Sequence, residues 1–209
     1  MGVMNLTPDS FSDGGSIASP EQAVRQASRM LAQGADVLDL GGQSTRPGAE
    51  LVGPQQELKR LLPALKAIRA AHPTATLSVD TFSAAVAEEA LAAGADWIND
   101  VRGANHTPEA AEGTLRDAAM LPLIAQAGCL YVLMHSRGDS RSMDDRTRYD
   151  DPVVDIRAEL QAATGRALAA GVREHQLIWD PGIGFAKTTE QNLAVLRHLQ
   201  QWQGAAPLL

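Results

Sequence analysis

Apolar positions in this chain follow two rhythms that take turns. Short apolar runs ending on a polar residue read as strands: "GVMN" (2–5), "DVLDL" (36–40), "TLSVD" (76–80), "DWIND" (96–100), "CLYVLMH" (129–135) and "QLIWD" (176–180). Between them lie Ala-rich segments with apolar residues at helical spacing: Pro20–Gln33, Pro54–Ala71, Ser83–Ala93, Ala118–Ala127, Val153–Ala170 and Thr188–Gln201. Strands that alternate with helices of this length run parallel, because each helix carries the chain back before the next strand starts. The junctions "AQGAD", "AAGAD" and "AQAGC" place a Gly where a helix must stop. The strand runs lack a clean polar alternation, which predicts cover on both faces.

Two architectures build such units, an open doubly wound sheet and a closed barrel. Asn5, Asp39, Asp80, Asn99, His135 and Asp180 each fall at the C-terminal end of a predicted strand. An open sheet gathers its polar groups at one switch point, whereas here every unit contributes one, as at the mouth of a barrel. No Gly-rich dinucleotide fingerprint follows the first strand. The expected fold is therefore α/β, a (β/α)8 TIM barrel. Six complete units are legible, a seventh strand begins at "APLL" (206–209), and no residues remain for an eighth. A barrel with missing strands leaves open edges. The expectation is a single barrel domain over residues 1–209 that is incomplete at both ends.

Composition narrows the function. The chain has 209 residues, 44% apolar and 21% charged, with a formal net charge of -7. No basic stripe is present, so no nucleic-acid partner is expected. No apolar run is long enough to span a membrane, and no secretory leader is visible, so no membrane association is expected. Cys129 is the single cysteine. It excludes an internal disulfide, reads as a buried structural thiol and suits a reducing compartment. The five histidines show no metal-ligand spacing.

Chemistry concentrates in the loops that follow the strands: "NLTPDSFSDGG" (5–15), "GGQSTRPGAE" (41–50), "SVDT" (78–81) with "INDVRG" (98–103), and "DPGIGFAK" (180–187). In a barrel, Asp80, Asn99 and Asp180 would enter one mouth. Two carboxylates and an amide suit a flat nitrogen heterocycle, whose paired N–H donors match a carboxylate. Asp9 and Asp100 read as helix N-caps or structural partners. Thr45 and Arg46 offer a hydroxyl and a guanidinium for phosphate oxygens in a turn-prone loop. Lys187 is expected to open the sixth helix, where the helix dipole disfavours a cation. That points to a role over the mouth. Residues 136–151, "SRGDSRSMDDRTRYDD", read as a mobile, solvated loop. Trp97 and Trp179 read as core or barrel wall.

"GVMNLTPDSFSDGG", "DLGGQSTRPGA", "SVDT", "INDVRG", "LMH" and "DPGIGFAK" resemble, in this order, the dihydropteroate synthase family. The resemblance implies a (β/α)8 barrel of folate biosynthesis and a target of sulfonamides. It implies a transferase that condenses 6-hydroxymethyl-7,8-dihydropterin diphosphate with 4-aminobenzoate and releases diphosphate, with Mg²⁺ as cofactor. By motif, Asp80, Asn99, Met134, Asp180 and Lys187 resemble the pterin contacts. Asn5 resembles the residue that meets the diphosphate and its metal. Phe11, Thr45, Pro47 and Phe185 resemble the aminobenzoate pocket. Asn5, Thr45, Arg46 and Lys187 take the catalytic roles. The family's cytoplasmic or organelle-matrix location and homodimeric state are likewise implied.

Two departures matter. Gln43 stands where the family usually carries Glu, and the family's "SRK" and "RVHD" segments have no counterpart in these residues. The isolated chain is therefore expected to be inactive or nearly so. Two further readings remain, a methyltetrahydrofolate-binding barrel that passes a methyl group to a corrinoid, and a non-catalytic pterin-binding relic. The polar first loop and "STRPG" favour diphosphate chemistry over the methyl carrier.

Overall fold

The computed structural model describes residues 1–7, 19–46, 48–106, 116–202 and 206–209. The chain forms two compact units: Met1–Thr45 with Glu50–Asn99, and Arg46–Ala49 with Asp100–Leu209.

The first unit repeats strand and helix in the predicted order: β1 (Gly2–Asn5), α1 (Pro20–Ala32), β2 (Val37–Gly41), α2 (Pro54–Ala71), β3 (Thr76–Asp80), α3 (Ala84–Ala92) and β4 (Trp97–Asp100, its last residue falling in the second unit). Sequence-neighbouring strands pair in parallel, β1 with β2, β2 with β3 and β3 with β4. Local signals set the boundaries. Ser19 caps α1 by accepting from the Gln22 N–H, with Pro20 at the first helical position. After α1 and α3 the chain turns at Gly34 (φ 95) and Gly94 (φ 101), a left-handed conformation that glycine adopts without strain. The "QGAD" and "AGAD" junctions are thus one device used twice.

Register places Met4, Leu40, Val79 and Ile98 in one row across the four strands. All four are at most 1% exposed. Leu61, Leu65 and Ile68 of α2 and the small residues Ala23, Ala27, Ala87 and Ala90 of α1 and α3 are buried with them. Each large side chain so buried contributes about 1.5–3 kcal/mol. The opposite face, one residue along each strand, carries the polar residues.

The second unit contains α4 (Met120–Ala127), β5 (Leu130–Met134), α5 (Pro152–Ala169), β6 (Leu177–Asp180) and α6 (Thr189–Arg197). β5 and β6 pair in parallel, with Met134 opposite Asp180. The Asp151 carboxylate accepts from Val153 N–H and Val154 N–H to start α5, and a Thr188/Gln191 capping box starts α6. The seventh strand expected at 206–209 begins as a parallel bridge between Leu208 and Trp179. Trp179 lies in the core and donates its indole N–H to Thr164 at 2.8 Å.

Two expectations change. Residues 136–151 are solvated only in part. Ser136 and Met143 are buried, a 3-10 turn spans Met143–Arg146, and the Ser136 hydroxyl donates to the Val101 carbonyl at 2.9 Å. Mixed charges mislead here because some of them are used within the unit, Arg137 on Glu159, Asp139 on its own turn and Asp151 as the cap of α5. Cys129, expected as buried, is half-exposed just before β5.

Candidate functional site

In the first unit the register gathers one polar row. Asn5 pairs with Gly41, Gly41 with Asp80, and Asp80 with Asn99. Register partners share a face, so Asn5, Asp80 and Asn99 stand side by side at the C-terminal rim of the sheet. Gly41 leaves room between them; a Cβ there would meet the Asp80 carboxylate at 3.5 Å. Asn5 is exposed, Asp80 half-buried and Asn99 buried.

Asp39 departs from its expected place. β2 continues to Gly41, so Asp39 lies one pleat below the rim and is only 4% exposed. It accepts from the Asn99 amide at 3.1 Å. Burial raises its carboxyl pKa, against the opposing pull of Ser78 and Asn99. Asp39 Oδ1 and Asn99 Oδ1 are both buried and make no hydrogen bond among the described residues. Buried acceptors of this kind cost free energy until a donor meets them.

Gln43 has a distinct job. Its amide nitrogen donates to the carbonyls of Ser44 (2.7 Å) and Glu50 (3.1 Å), and its oxygen accepts from Val52 N–H at 2.8 Å. It thereby closes the loop that carries Thr45, which is half-buried. A carboxylate has no donor for the two carbonyls.

The second unit builds around Lys187, which precedes α6 rather than opening it. Lys187 is 9% exposed. Its ammonium donates to the Gly182 carbonyl, the Phe185 carbonyl and His135 Nδ1, each at 2.9 Å. His135 Nε2 lies 2.8 Å from Glu159 Oε2. Arg137 pairs with the same carboxylate and stacks 3.9 Å over the Tyr149 ring. The Tyr149 hydroxyl donates to the Ala186 carbonyl at 3.0 Å. Ala186 sits at φ 51, a left-handed conformation that costs a Cβ-bearing residue about 1 kcal/mol.

The loop between β6 and Lys187 admits only glycine at 182. Its φ is +66, and a Cβ would fall 1.9 Å from the His135 carbonyl oxygen. Asp180 Oδ1 accepts from Gly182 N–H at 2.7 Å, so this carboxylate shapes the turn. Phe185, half-buried, closes it through its N–H to the Gly182 carbonyl.

Burial dominates the electrostatics. It pushes the Lys187 amine down to about 7, opposed by Asp180 and Glu159. It pushes His135 down to about 4, opposed by its hydrogen bond to Glu159. Glu159 resists burial because His135 and Arg137 hold it down to about 2. The imidazole is thus neutral, donating from Nε2 to the carboxylate and accepting at Nδ1 from the lysine.

Asp100 is a structural partner, one of the two roles expected of it. It accepts from Tyr131 Oη at 2.6 Å and from Arg102 N–H at 2.8 Å, and burial pushes its carboxyl up to about 6. Arg46 is exposed and opens residues 46–49, where Gly48 N–H and the Ala49 carbonyl both bond Ser140. Phe11, Pro47 and Asp9 lie outside the described residues.

Sequence reading missed Glu159 and Arg137 and undervalued His135. A signal was present. Glu159 interrupts the buried face of α5, formed by Val153, Ile156, Leu160, Ala163 and Ala167. A lone acid on such a face needs a buried partner.

Among the described residues, no group of three or more His, Cys, Asp or Glu side chains could hold a metal ion. No helix among the described residues is long and apolar enough to cross a membrane.

Comparisons with known proteins agree along the whole chain. A dihydropteroate synthase of Synechocystis is 44% identical over 201 residues, 96% of this chain and 66% of that protein. The chain spans about two thirds or less of the curated relatives it matches. The Yersinia pestis dihydropteroate synthase with a sulfonamide drug complex superposes with a TM-score of 0.89 at 40% identity, over 100% of this chain and 72% of that one. A Xanthomonas albilineans dihydropteroate synthase in complex with 7,8-dihydropteroate superposes with a TM-score of 0.80 at 35% identity, over 100% and 70%. The α/β barrel class expected from the sequence holds. The pterin binding enzyme family matches residues 1–209, and the chain belongs to that family.

Proposed function

We propose that this chain serves the dihydropteroate synthase reaction, the condensation of 6-hydroxymethyl-7,8-dihydropterin diphosphate with 4-aminobenzoate. The observation that carries this reading is the whole-chain likeness to dihydropteroate synthases, at 44% identity to the Synechocystis protein. The Xanthomonas relative holds 7,8-dihydropteroate, which would be the product of that condensation.

The chain's own residues suit the steps. Asp80 and the buried Asn99 oxygen accept N–H groups of the aminopyrimidine edge. Asp180 and Met134 supply further pterin contacts, sharing one face of the β5–β6 pair, and Lys187, whose N–H donors are held within the protein, meets the ring through its stem and its positive charge. Thr45 and Arg46 hold departing phosphate oxygens, whose growing charge they stabilise. Phe11, Thr45, Pro47 and Phe185 wall the aminobenzoate. Excluding water protects the cationic pterin methylene until the aniline nitrogen attacks.

Mg²⁺ fits this donor set in a limited way. Asn5, an exposed residue on the rim, offers one amide oxygen, and Mg²⁺ commonly takes one or two protein ligands and completes its shell with substrate phosphates and water. When bound, the ion neutralises diphosphate charge. The working protein is proposed to be a homodimer in the cytosol or an organelle matrix.

Calorimetry with the pterin diphosphate tests the reading. The 209-residue chain is expected to bind it, and Asp180→Asn to abolish binding while circular dichroism stays unchanged. Turnover with 4-aminobenzoate is expected to be nil or nearly so, since "SRK" and "RVHD" have no counterpart here. No binding by the unaltered, folded chain would overturn the proposal. Unchanged affinity in Asp180→Asn would remove that residue from the site.

A further inference from the structure

Lys187 is anchored at every donor of its ammonium. An ammonium has three N–H donors, and all three are used, on the carbonyls of Gly182 and Phe185 and on His135 Nδ1. Two of these acceptors belong to the backbone of Lys187's own loop. The third is a side chain from the end of β5. Its ring is fixed in turn by Glu159 of α5 at 2.8 Å, and Glu159 is fixed by Arg137. Imidazole offers a lone pair at Nδ1 only while its proton sits on Nε2, and the facing carboxylate selects that tautomer.

We propose that His135, backed by Glu159, is a positioning residue for Lys187. Glu159 sets the imidazole tautomer, the imidazole aims and holds the ammonium, and Glu159 influences the lysine through that ring. This deepens the reading above and rests on it for the identity of the ligand that Lys187 meets. His135 touches no substrate in this scheme.

Four charged or titratable groups bear on the amine: His135 from β5, Arg137 from the following loop, Glu159 from α5 and Asp180 from β6. Tyr149 flanks the imidazole, with ring centroids 6.2 Å apart. The amine's descent to about 7 places its charge within reach of physiological pH. A small change in the ring therefore alters how much ammonium is present.

The chain has only three lysines, Lys59, Lys66 and Lys187, so ¹³Cε-lysine NMR resolves the titration of Lys187 directly. Glu159→Gln is expected to lower the Lys187 midpoint by about one pH unit, a tenfold change in proton affinity. In a His135→Asn background, where Asn Oδ1 replaces Nδ1 but does not reach Glu159, the same substitution is expected to move the midpoint far less. Equal displacement in both backgrounds would mean that Glu159 acts directly through space, and would overturn the relay.

Imidazole ¹⁵N shifts of the unaltered protein need no variant. They should show Nδ1 unprotonated at neutral pH, and a protonated Nδ1 would also overturn the proposal. For positioning, His135→Ala should weaken pterin-diphosphate binding about tenfold, the size of one lost hydrogen bond to a charged group. His135→Asn should restore most of it. If both variants bind equally weakly, the acceptor at Nδ1 is not what matters and the positioning role falls. Failure of the unaltered chain to bind would instead count against the proposed function, leaving the two NMR results to judge the relay.

Discussion

The polar rim of the first unit and the lysine cluster of the second make opposite use of polar side chains. The row Asn5, Asp80 and Asn99 stands on strands whose other face is solid apolar core, and the buried Asn99 oxygen has no donor among the described residues. Around Lys187, each ammonium donor, both Glu159 oxygens and both His135 nitrogens have partners within the unit. An unsatisfied buried acceptor stores a cost that a ligand can remove, whereas a satisfied network fixes charge in place. The first arrangement gives affinity. The second gives geometry and sets protonation.

The largest test of this contrast is Gly182→Ala. A methyl group 1.9 Å from the His135 carbonyl at φ +66 has no room, and the loop that supplies two of the Lys187 acceptors must move. A loss of about 3 kcal/mol in urea unfolding is expected from combined overpacking and strain. Next comes Asp80→Asn, expected to weaken pterin-diphosphate binding by about 2 kcal/mol, or some thirtyfold, through loss of charge-assisted hydrogen bonds. Its unfolding midpoint should stay near that of the unaltered protein. A stability loss as large as that of Gly182→Ala would erase the distinction between the two regions.

Gln43→Glu should cost about 1–2 kcal/mol, although it installs the residue usual in the family, because the donors to the Ser44 and Glu50 carbonyls vanish. Unchanged urea unfolding would show that the clamp contributes nothing.

The smallest expected effect is in pH dependence, and its sign differs by residue. His135 falls from 6.5 to about 4, so the unfolded chain binds the extra proton between those values and stability drops on acidification through that window. Glu159, lowered from 4.5 to about 2, extends the loss as pH falls further. Asp100, raised from 3.8 to about 6, works the other way, since the folded chain binds the extra proton between them. Asp100→Asn should therefore steepen the loss of stability between pH 6 and pH 4. An unchanged slope would show that this carboxyl does not titrate as its burial requires.

The sequence carried the elements well. All six strands appear where the apolar runs end on polar residues, α2 matches its predicted bounds, and the others differ by a few residues at their ends. Asp80 and Asp180 were legible as rim acids because a strand's last residue is a local property. Asp39 was misplaced by one pleat, since the run "DVLDL" does not show that Gly41 still pairs with Asp80. The loop at 136–151 was read as wholly solvated because composition does not show that Arg137 meets Glu159 or that Ser136 and Met143 turn inward.

By itself, the sequence determined the alternation of parallel strands and helices, the caps and the order of the polar strand ends. Each depends on neighbours within a few residues, through the strand period of two and the helical period of 3.6. Only the tertiary structure decided the partners. The bond from Asn99 to Asp39 joins residues 60 apart, that from Lys187 to His135 residues 52 apart, and that from His135 to Glu159 residues 24 apart. Such pairs follow from strand register and from which helix face turns inward, and no local periodicity encodes them.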